Sequence, residues 1–309
     1  MQEPIPFQID LDYVSLSGLR WGKGHHQPVL AMHGWLDNCQ SFSQIAPLLA
    51  DACDLDIWAV DLVGHGHSSH RPKGSYYHIW DNVIDMALLM DAQGWEQVDL
   101  LGHSMGAGVA TLMAGAIPDR IRRVALIEGL GPLATPADES PQQLSQALGR
   151  YRLQSSQPQS DPLQARQSQH DKTKSYKAPP CYATIDEAAK ARMKGIGEIS
   201  YQAALPLTER GTRQDSDGLR WRSDARLRIP SPVRLTEAQV YSFCTAITAP
   251  TCLVIGEQGF LVNGDNTPLR KEKVADIQLH ILPGNHHLHL EPKSAPAVAD
   301  TLIQFWQNG

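Results

Sequence analysis

Short apolar runs of strand length alternate along the chain with longer segments in which apolar positions recur every three or four residues. The runs that predict buried strands are residues 14–22, 28–32, 56–61, 98–103 and 123–129. Helices are predicted at 43–52 and 80–93, and a helix rich in small residues follows residue 103. This alternation indicates an α/β fold with a mainly parallel central sheet and helices on both faces.

The alternation is interrupted between residues 131 and 235, which contain no strong buried strand. The part from 141 to 177 is rich in Gln, Ser and charged residues. Candidate helices at 140–154 and 184–197 nevertheless favour a helical insertion over a linker.

The strand–helix pattern resumes after the insertion. Its later elements are a helix at 236–247, strands at 251–256 and 277–284, and a helix at 294–307. We therefore expect a core of residues 1–130 and 236–309, with residues 131–235 as an inserted helical cap. By analogy, such a cap lies over the carboxyl ends of the strands, where open α/β sheets bind their ligands.

Composition narrows the classes of function. The net charge of −6 disfavours binding to nucleic acid, because such proteins usually carry a basic excess. The first residues lack the basic and apolar regions of a secretory signal, and no apolar run approaches the ~18 residues of a membrane span. The five scattered cysteines have no CxxC spacing, which indicates reduced thiols and a cytoplasmic protein, not a disulfide framework or a zinc site.

The segment 102–106 reads Gly-His-Ser-Met-Gly and lies between a predicted strand and a predicted helix. The pattern G-x-S-x-G is typical of a strained strand-to-helix turn that exposes a serine hydroxyl, and the glycines leave room for that turn. The start of the helix also directs free N–H groups and its positive dipole end towards the reacting centre. We predict that Ser104 is a nucleophile.

The strand at 28–32 ends in His33-Gly34-Trp35. In a fold with this nucleophile turn, an oxyanion hole uses the N–H after the nucleophile and an N–H from the loop after the third strand. Those N–H groups belong here to Met105 and Trp35. His33 is expected to be a hydrogen-bonded structural histidine.

Three histidines compete for the role of general base after the last predicted strand, in the segment PGNHHLH at 283–289. The chain order serine, acid, histidine requires the base to come last. We favour His286, the first histidine after the turn. His287 is the alternative, and His289 is expected to pack or to cap the following helix. No acidic ligand pattern accompanies these histidines, so no metal is expected.

The acid that would orient the base is not in its usual place. The turn after the strand at 251–256 reads Gly-Glu-Gln-Gly-Phe, with glycine where an aspartate would be expected. Glu128 ends the apolar strand before the insertion, where a carboxylate is costly to bury without a partner. We predict that Glu128 is the acid, with Glu257 and Asp265 as alternatives and an exposed strand-end carboxylate as the non-catalytic interpretation.

Taken together, these segments resemble the α/β-hydrolase superfamily over nearly the whole chain. The segments that resemble its serine hydrolase-like branch are HGWLDN (33–38), DLVGHGHS (61–68), GHSMG (102–106), PGNHHLHLE (283–291) and residues 221–240. The branch is similar in layout to haloalkane dehalogenases and epoxide hydrolases, in which an acid follows strand six, where Glu128 falls. Those enzymes use an aspartate nucleophile, so Ser104 favours ester hydrolysis instead.

The sequence therefore predicts a carboxylic ester hydrolase that forms an acyl-enzyme, needs no cofactor and acts on a small-molecule ester as a monomer or a dimer. Alternatives are the same residues acting on a lactone, a thioester or a carbon–carbon bond, or a non-catalytic binding protein. Candidate substrate contacts are Trp35 and His103 beside the nucleophile and Tyr176 and Tyr182 in the cap. Seven arginines between Arg210 and Arg234 could bind an anionic acyl chain or leaving group, although salt bridges or solvation are expected.

Overall fold

The computed structural model describes residues 3–22, 24, 27–155, 180–195, 197–262 and 266–308. Tyr176 and Asp265 lie outside these residues. Eight strands form one sheet: β1 (Ile5–Asp10), β2 (Ser15–Trp21), β3 (Gln27–Met32), β4 (Leu55–Asp61), β5 (Val98–His103), β6 (Ile121–Ile127), β9 (Thr251–Gln258) and β10 (Ile277–Asn285). The remaining two strands, β7 (Thr212–Asp215) and β8 (Gly218–Trp221), pair with each other as a separate hairpin.

The sheet has the order β1-β2-β4-β3-β5-β6-β9-β10. Its last six strands in this order are parallel, whereas β1 and β2 are antiparallel additions at one edge. Strands β4 and β5 are buried along their whole length, as expected where helices cover both faces. The predicted α/β fold with a mainly parallel sheet is therefore confirmed.

Helices flank the sheet and also occur in the described part of the segment between β6 and β9. They are α1 (Ala46–Cys53), α2 (Ile79–Ala92), α3 (Met105–Ala116), α4 (Ser140–Ser155), α5 (Ile185–Met193), α6 (Tyr201–Gly211), α7 (Glu237–Ala246), α8 (Thr267–Lys273) and α9 (Ala295–Gln307). Among the described residues, no helix is long and apolar enough to cross a membrane.

Two apolar cores lie on the two faces of the sheet. Buried side chains of α2, α3 and α7 pack on one face, and those of α1 and α9 pack on the other. A third, smaller cluster joins α5 and α6 to Leu290, which follows β10. The segment between β6 and α7 is thus packed against the residues after β10.

Five helices and strands of the described chain were not predicted from the pattern. Strand β1 lies at the sheet edge, where Pro6 is tolerated, and its side chains are exposed or half-buried, so its apolar residues do not form a buried run. Helix α6 contains Pro206, and α8 has only seven residues. The hairpin of β7 and β8 is only half-buried or exposed along most of its length, so it lacks the apolar run that marks a core strand.

Candidate active site

Ser104 lies at the junction between β5 and α3, near the centre of the sheet. Its φ of 52° and ψ of −112° are rare for a residue with a side chain. The backbone N–H of Ser104 donates to the carbonyl of Ile127 on the neighbouring strand at 2.9 Å. A Cβ at Gly106 would lie 1.9 Å from the carbonyl oxygen of Met32, so a glycine is required for α3 to approach β3 this closely.

His286 lies between Ser104 and Glu128. Its Nε2 is 3.0 Å from Ser104 Oγ, and its Nδ1 is 3.0 Å from Glu128 Oε2. When Nδ1–H donates to the carboxylate, Nε2 is free to accept the serine proton. The ring of Phe260 stacks on the imidazole with 4.2 Å between centroids. The structure therefore brings the predicted nucleophile, base and acid into one hydrogen-bonded line.

Glu128 is only 2% exposed as a whole residue, and its side chain is fully buried. Its Oε1 accepts the Gly256 N–H at 2.8 Å, and its Oε2 accepts the Phe260 N–H at 2.9 Å. These two N–H groups and His286 satisfy a buried charge that would otherwise be costly. A Cβ at Gly259 would lie 2.0 Å from Oε1 of Glu128. The glycine found in place of the expected aspartate therefore leaves the space that the Glu128 carboxylate occupies.

The alternative acids and bases lie elsewhere. Glu257 is exposed and contacts the neighbouring Gln258 side chain, and Asp265 lies outside the described residues. His287 Nε2 is 3.2 Å from Asp37, and His289 Nε2 is 2.9 Å from Ser41 Oγ. Among the three histidines of this segment, His286 is the one within hydrogen-bonding distance of Ser104.

The loop after β3 carries the predicted oxyanion donor Trp35. Leu36, with a φ of 63°, donates its N–H to His65 Nε2 at 3.2 Å and fixes the turn. The Trp35 indole is 37% exposed and donates its Nε1–H to the Leu227 carbonyl at 2.9 Å. Met105 is the first residue of α3, where a helix leaves backbone N–H groups unpaired. Both residues line the same cleft as Ser104.

His33, predicted to be structural, is fully buried. Its Nε2 accepts the Leu62 N–H at 3.0 Å. Burial lowers the pKa of His33 despite its hydrogen bond to the Gly34 carbonyl, so the ring is neutral and ties the β3 loop to the end of β4.

A buried ion pair holds the loop after β3 against helix α5. Arg192 on α5 lies 2.5 Å from Asp37, which also contacts His287. Burial raises the pKa of Asp37, but the charges of Arg192 and His287 outweigh burial and hold that pKa well below its ordinary value. The ion pair therefore joins the loop after β3, the segment between β6 and β9, and the histidine loop.

His103, a candidate substrate contact, is fully buried beneath His286. Its Nε2–H donates to the backbone carbonyl of His286 at 2.9 Å. Burial and the neighbouring histidines lower the pKa of His103 well below its ordinary value. The ring lies at the inner wall of the cleft and supports the His286 backbone, so a direct substrate contact is not its evident role.

Asp37, His103 and His287 are close enough to hold a metal ion, since their potential ligand atoms lie within 4.8 Å of one another. The guanidinium of Arg192 already lies on the Asp37 carboxylate. A cation beside this guanidinium would be repelled, and the donor set therefore fits an internal ion pair better than a metal site.

A cavity of about 600 Å³ opens beside Ser104 and His286. Apolar side chains form much of its wall, among them Trp80, Leu133, Leu227, Val233 and Leu261. The candidate contact Tyr182 does not line it: Tyr182 pairs with Leu219 of β8 and accepts a hydrogen bond from Trp221. Tyr182 stays a predicted substrate contact, but it is not among the residues that line this cleft in the described part of the chain. The stretch 227–235 supplies much of the wall. The sequence marked this stretch only through the family resemblance of residues 221–240 and through its arginines, and did not place it beside Ser104.

Known proteins resemble the chain over most of its length. The family described as alpha/beta hydrolase fold matches residues 27–293. A probable serine hydrolase of Drosophila melanogaster is 28% identical and aligns with 97% of this chain and 86% of its own length. A hypothetical protein of Pseudomonas aeruginosa PAO1 is 41% identical with a TM-score of 0.86, covering 98% of this chain and 99% of that chain. The thioesterase domain from the curacin biosynthetic pathway is 26% identical with a TM-score of 0.80, covering 98% and 99%.

These likenesses support a hydrolase of the α/β family. The segment Gly102–Gly106 and the mainly parallel sheet described above agree with this family. The chain belongs to the α/β-hydrolase superfamily, in its serine hydrolase-like branch.

Proposed function

We propose that this protein hydrolyses carboxylic esters of small molecules through an acyl-enzyme intermediate. The observation that carries the proposal is the pair of 3.0 Å contacts that join Ser104, His286 and Glu128. The serine of this line lies in a strained turn at the wall of an apolar cleft. A nucleophile, a base within hydrogen-bonding distance and a third group that orients the base are the parts that acyl transfer requires.

In the proposed reaction, Ser104 Oγ attacks the ester carbonyl carbon while its proton moves to His286 Nε2. Glu128 keeps the Nδ1–H of His286 directed away from the serine and stabilises the imidazolium that forms. The N–H groups of Trp35 and Met105 stabilise the oxyanion; losing one such donor typically costs about 3 kcal/mol of transition-state stabilisation.

The tetrahedral intermediate collapses when His286 returns the proton to the departing alkoxide, which leaves as the alcohol. Water then attacks the acyl-Ser104 carbonyl, with His286 again accepting the proton. The second collapse releases the carboxylic acid and restores the Ser104 hydroxyl. Each proton accepted by His286 is thus returned within the same half-reaction, and no cofactor takes part.

We also propose that residues 131–235 act as a cap on a core formed by residues 1–130 and 236–309. The stretch 227–235 within this segment lines the cleft, and the Leu227 carbonyl accepts the indole hydrogen of Trp35. The cap would then contribute one wall of the substrate site, and the core would contribute the reacting groups.

The experiment that tests the reaction is labelling with a fluorophosphonate, run beside hydrolysis of 4-nitrophenyl butyrate. Wild type is compared with Ser104→Ala, Glu128→Gln and the control Ser216→Ala, which alters an exposed serine. We expect labelling and turnover to vanish in Ser104→Ala and to persist in Ser216→Ala. Glu128→Gln should lower kcat by about 10⁴-fold, as loss of the orienting acid does in a serine protease. A folded wild type that neither labels nor turns over would contradict the proposal and favour a binding protein.

A thioester is the second candidate for the scissile bond. The observation in its favour is the likeness at 26% identity to a structure described as a thioesterase domain. Comparing kcat/KM for an oxygen ester and a thioester of the same acyl group separates the two candidates. Ser104 and His286 would play the same part in both reactions, so only the scissile bond differs between the two substrates. A higher kcat/KM for the thioester would identify a thioester as the substrate bond.

A further inference from the structure

The seven arginines between Arg210 and Arg234 fall into three groups in the structure. Four have a partner: Arg210 with Asp61, Arg220 with Asp217, Arg226 with Asp224 and Arg222 with the Thr212 carbonyl. Arg213 is exposed on β7, away from the cleft. Arg228 and Arg234 both line the cleft beside Ser104. Neither forms a hydrogen bond or an ion pair within the described part of the chain.

The backbone that carries these two arginines is held on both sides. The Leu227 carbonyl, next to Arg228, accepts the Trp35 indole hydrogen at 2.9 Å. The Leu235 carbonyl, next to Arg234, accepts the Thr135 N–H at 3.0 Å. Arg228 is thus held near the loop that carries a proposed oxyanion donor, and both guanidinium groups are presented from an anchored stretch.

Within the described lining of the cleft, positively charged side chains outnumber negatively charged ones. Two carboxylates belong to its described lining, Asp37 and Glu128. Both are buried, one against Arg192 and the other against His286. A third arginine of the lining, Arg270, is paired with Glu237. Arg228 and Arg234 therefore line a largely apolar cavity without a carboxylate partner among the described residues, in a chain whose net charge is −6.

We propose that Arg228 and Arg234 form an anion subsite and that the substrate is an ester carrying a carboxylate or phosphate beyond its apolar part. This inference rests on the proposed function. Guanidinium groups bind carboxylate and phosphate oxygens through paired N–H donors. Apolar walls of low dielectric constant strengthen the electrostatic attraction between the guanidinium groups and an anion. The cleft should therefore bind an anionic ester more tightly than a cationic one. The apolar wall binds the middle of the substrate, while the two arginines fix its charged end.

The test compares kcat/KM for matched esters that differ in one charge. The first pair is the 4-nitrophenyl monoester of glutaric acid and its methyl-capped neutral form, with the charge on the acyl side. The second pair is 4-carboxyphenyl butyrate and its methyl ester, with the charge on the leaving group. We expect wild type to prefer the anionic member of at least one pair by about tenfold or more, as a hydrogen-bonded charge contact predicts. The pair that shows the preference tells on which side of the scissile bond the anion lies.

Arg228→Gln and Arg234→Gln should each lower that preference by about three- to tenfold, mainly through KM, and the double variant should remove it. Arg213→Gln is the matched control. Arg213 also has no ion-pair partner among the residues that the structure describes, but it lies outside the cleft, so this variant should keep the preference. Raising the salt concentration should also weaken the preference, since Arg228 is exposed and its charge is screened.

Equal kcat/KM for the charged and neutral members of both pairs in wild type would overturn the anion subsite. A preference that survives in the double variant would do the same. Either result leaves the proposed function intact as long as wild type hydrolyses the neutral esters and Ser104→Ala does not. Loss of neutral-ester hydrolysis in wild type would instead count against the proposed function itself.

Discussion

Replacing Gly259 with alanine tests the role of Glu128 without altering the carboxylate itself. The added Cβ would lie 2.0 Å from Oε1, 2.4 Å from Cδ and 2.6 Å from Oε2 of Glu128. Gly259 is not among the glycines with positive φ, so alanine suits the backbone there. The perturbation is therefore a steric one, directed at one buried carboxylate.

The magnitude follows from the distance that the carboxylate must move. Real Cβ contacts are essentially never shorter than 3.0 Å, so an oxygen at 2.0 Å must retreat by about 1 Å. The contact between Glu128 Oε2 and His286 Nδ1 is 3.0 Å long, and such a shift breaks or badly stretches it. A displacement of 1 Å in a reacting group costs about 10²-fold in rate, and complete loss of the acid costs about 10⁴-fold. We expect kcat of Gly259→Ala to fall between these limits.

The assay is ester hydrolysis together with the rate of fluorophosphonate labelling, both measured on protein shown to be folded by thermal unfolding. Gly149→Ala is the matched control, because a Cβ at this position of α4 meets no atom within 4 Å. It should keep wild-type kcat. A second variant, Glu128→Gly with Gly259→Asp, offers a carboxylate from the other side of the same space. The φ of 52° at residue 128 suits glycine, and we expect this double variant to exceed Glu128→Gly alone in kcat.

Wild-type kcat and labelling rate in folded Gly259→Ala would refute the reasoning. That result would mean that the hydrogen bond between Glu128 and His286 does not contribute to the reaction. An equal loss in Gly149→Ala would show instead that the assay reports general damage to the protein.

Three further predictions concern stability. Ser104→Gly should abolish turnover. Its free energy of unfolding should nevertheless exceed that of Ser104→Ala by about 1–2 kcal/mol, because glycine adopts the positive φ at this position without strain. Urea unfolding that shows a lower free energy of unfolding for the glycine variant than for the alanine variant would contradict this prediction. Asp37→Asn leaves Arg192 without its carboxylate and should lower the free energy of unfolding by about 3 kcal/mol at pH 7. The pKa of Asp37 is lower in the folded protein than in the unfolded chain. The ion pair therefore contributes its full stability above the unfolded pKa of 3.8 and loses it as the pH falls through the folded pKa. An Asp37→Asn variant as stable as wild type at pH 7 would exclude the ion pair as a stabilising contact. Burial lowers the pKa of His103 and His289 from 6.5, so the unfolded chain takes up protons that the folded chain does not. Stability should therefore fall below pH 6.5, by about 1 kcal/mol per pH unit for each histidine, and urea midpoints that stay constant between pH 7 and pH 5 would argue against buried neutral rings.

Local patterns were enough to predict the layers of the fold. Strands buried on both faces are continuous apolar runs, and the long helices show their period in the sequence, so the α/β class followed directly. The elements that were missed have weak local signals: an exposed edge strand, a helix with an internal proline and a seven-residue helix. Their positions depend on packing against distant parts of the chain.

The candidate site shows the same division between local and distant information. Ser104 was indicated by a five-residue motif, and Glu128 by the cost of burying a carboxylate at the end of an apolar strand. The pairing of Asp37 with Arg192 spans 155 positions and leaves no periodic trace. Likewise, the space that Gly259 leaves for Glu128 is a property of two loops together, so the sequence showed only a missing aspartate.

In the proposed reaction the acid comes from the end of β6, and this changes which side chains the loop at 256–262 can carry. That loop contributes two backbone N–H groups and one glycine to the carboxylate. Backbone N–H groups survive most substitutions, so selection can vary its outward side chains, such as the exposed Glu257, without dismantling the reaction centre. Phe260 covers the imidazole from the same loop. In a directed-evolution library, Phe260 and Leu261, which line the cleft, are therefore where new substrate ranges can be sought while Gly259 is held fixed.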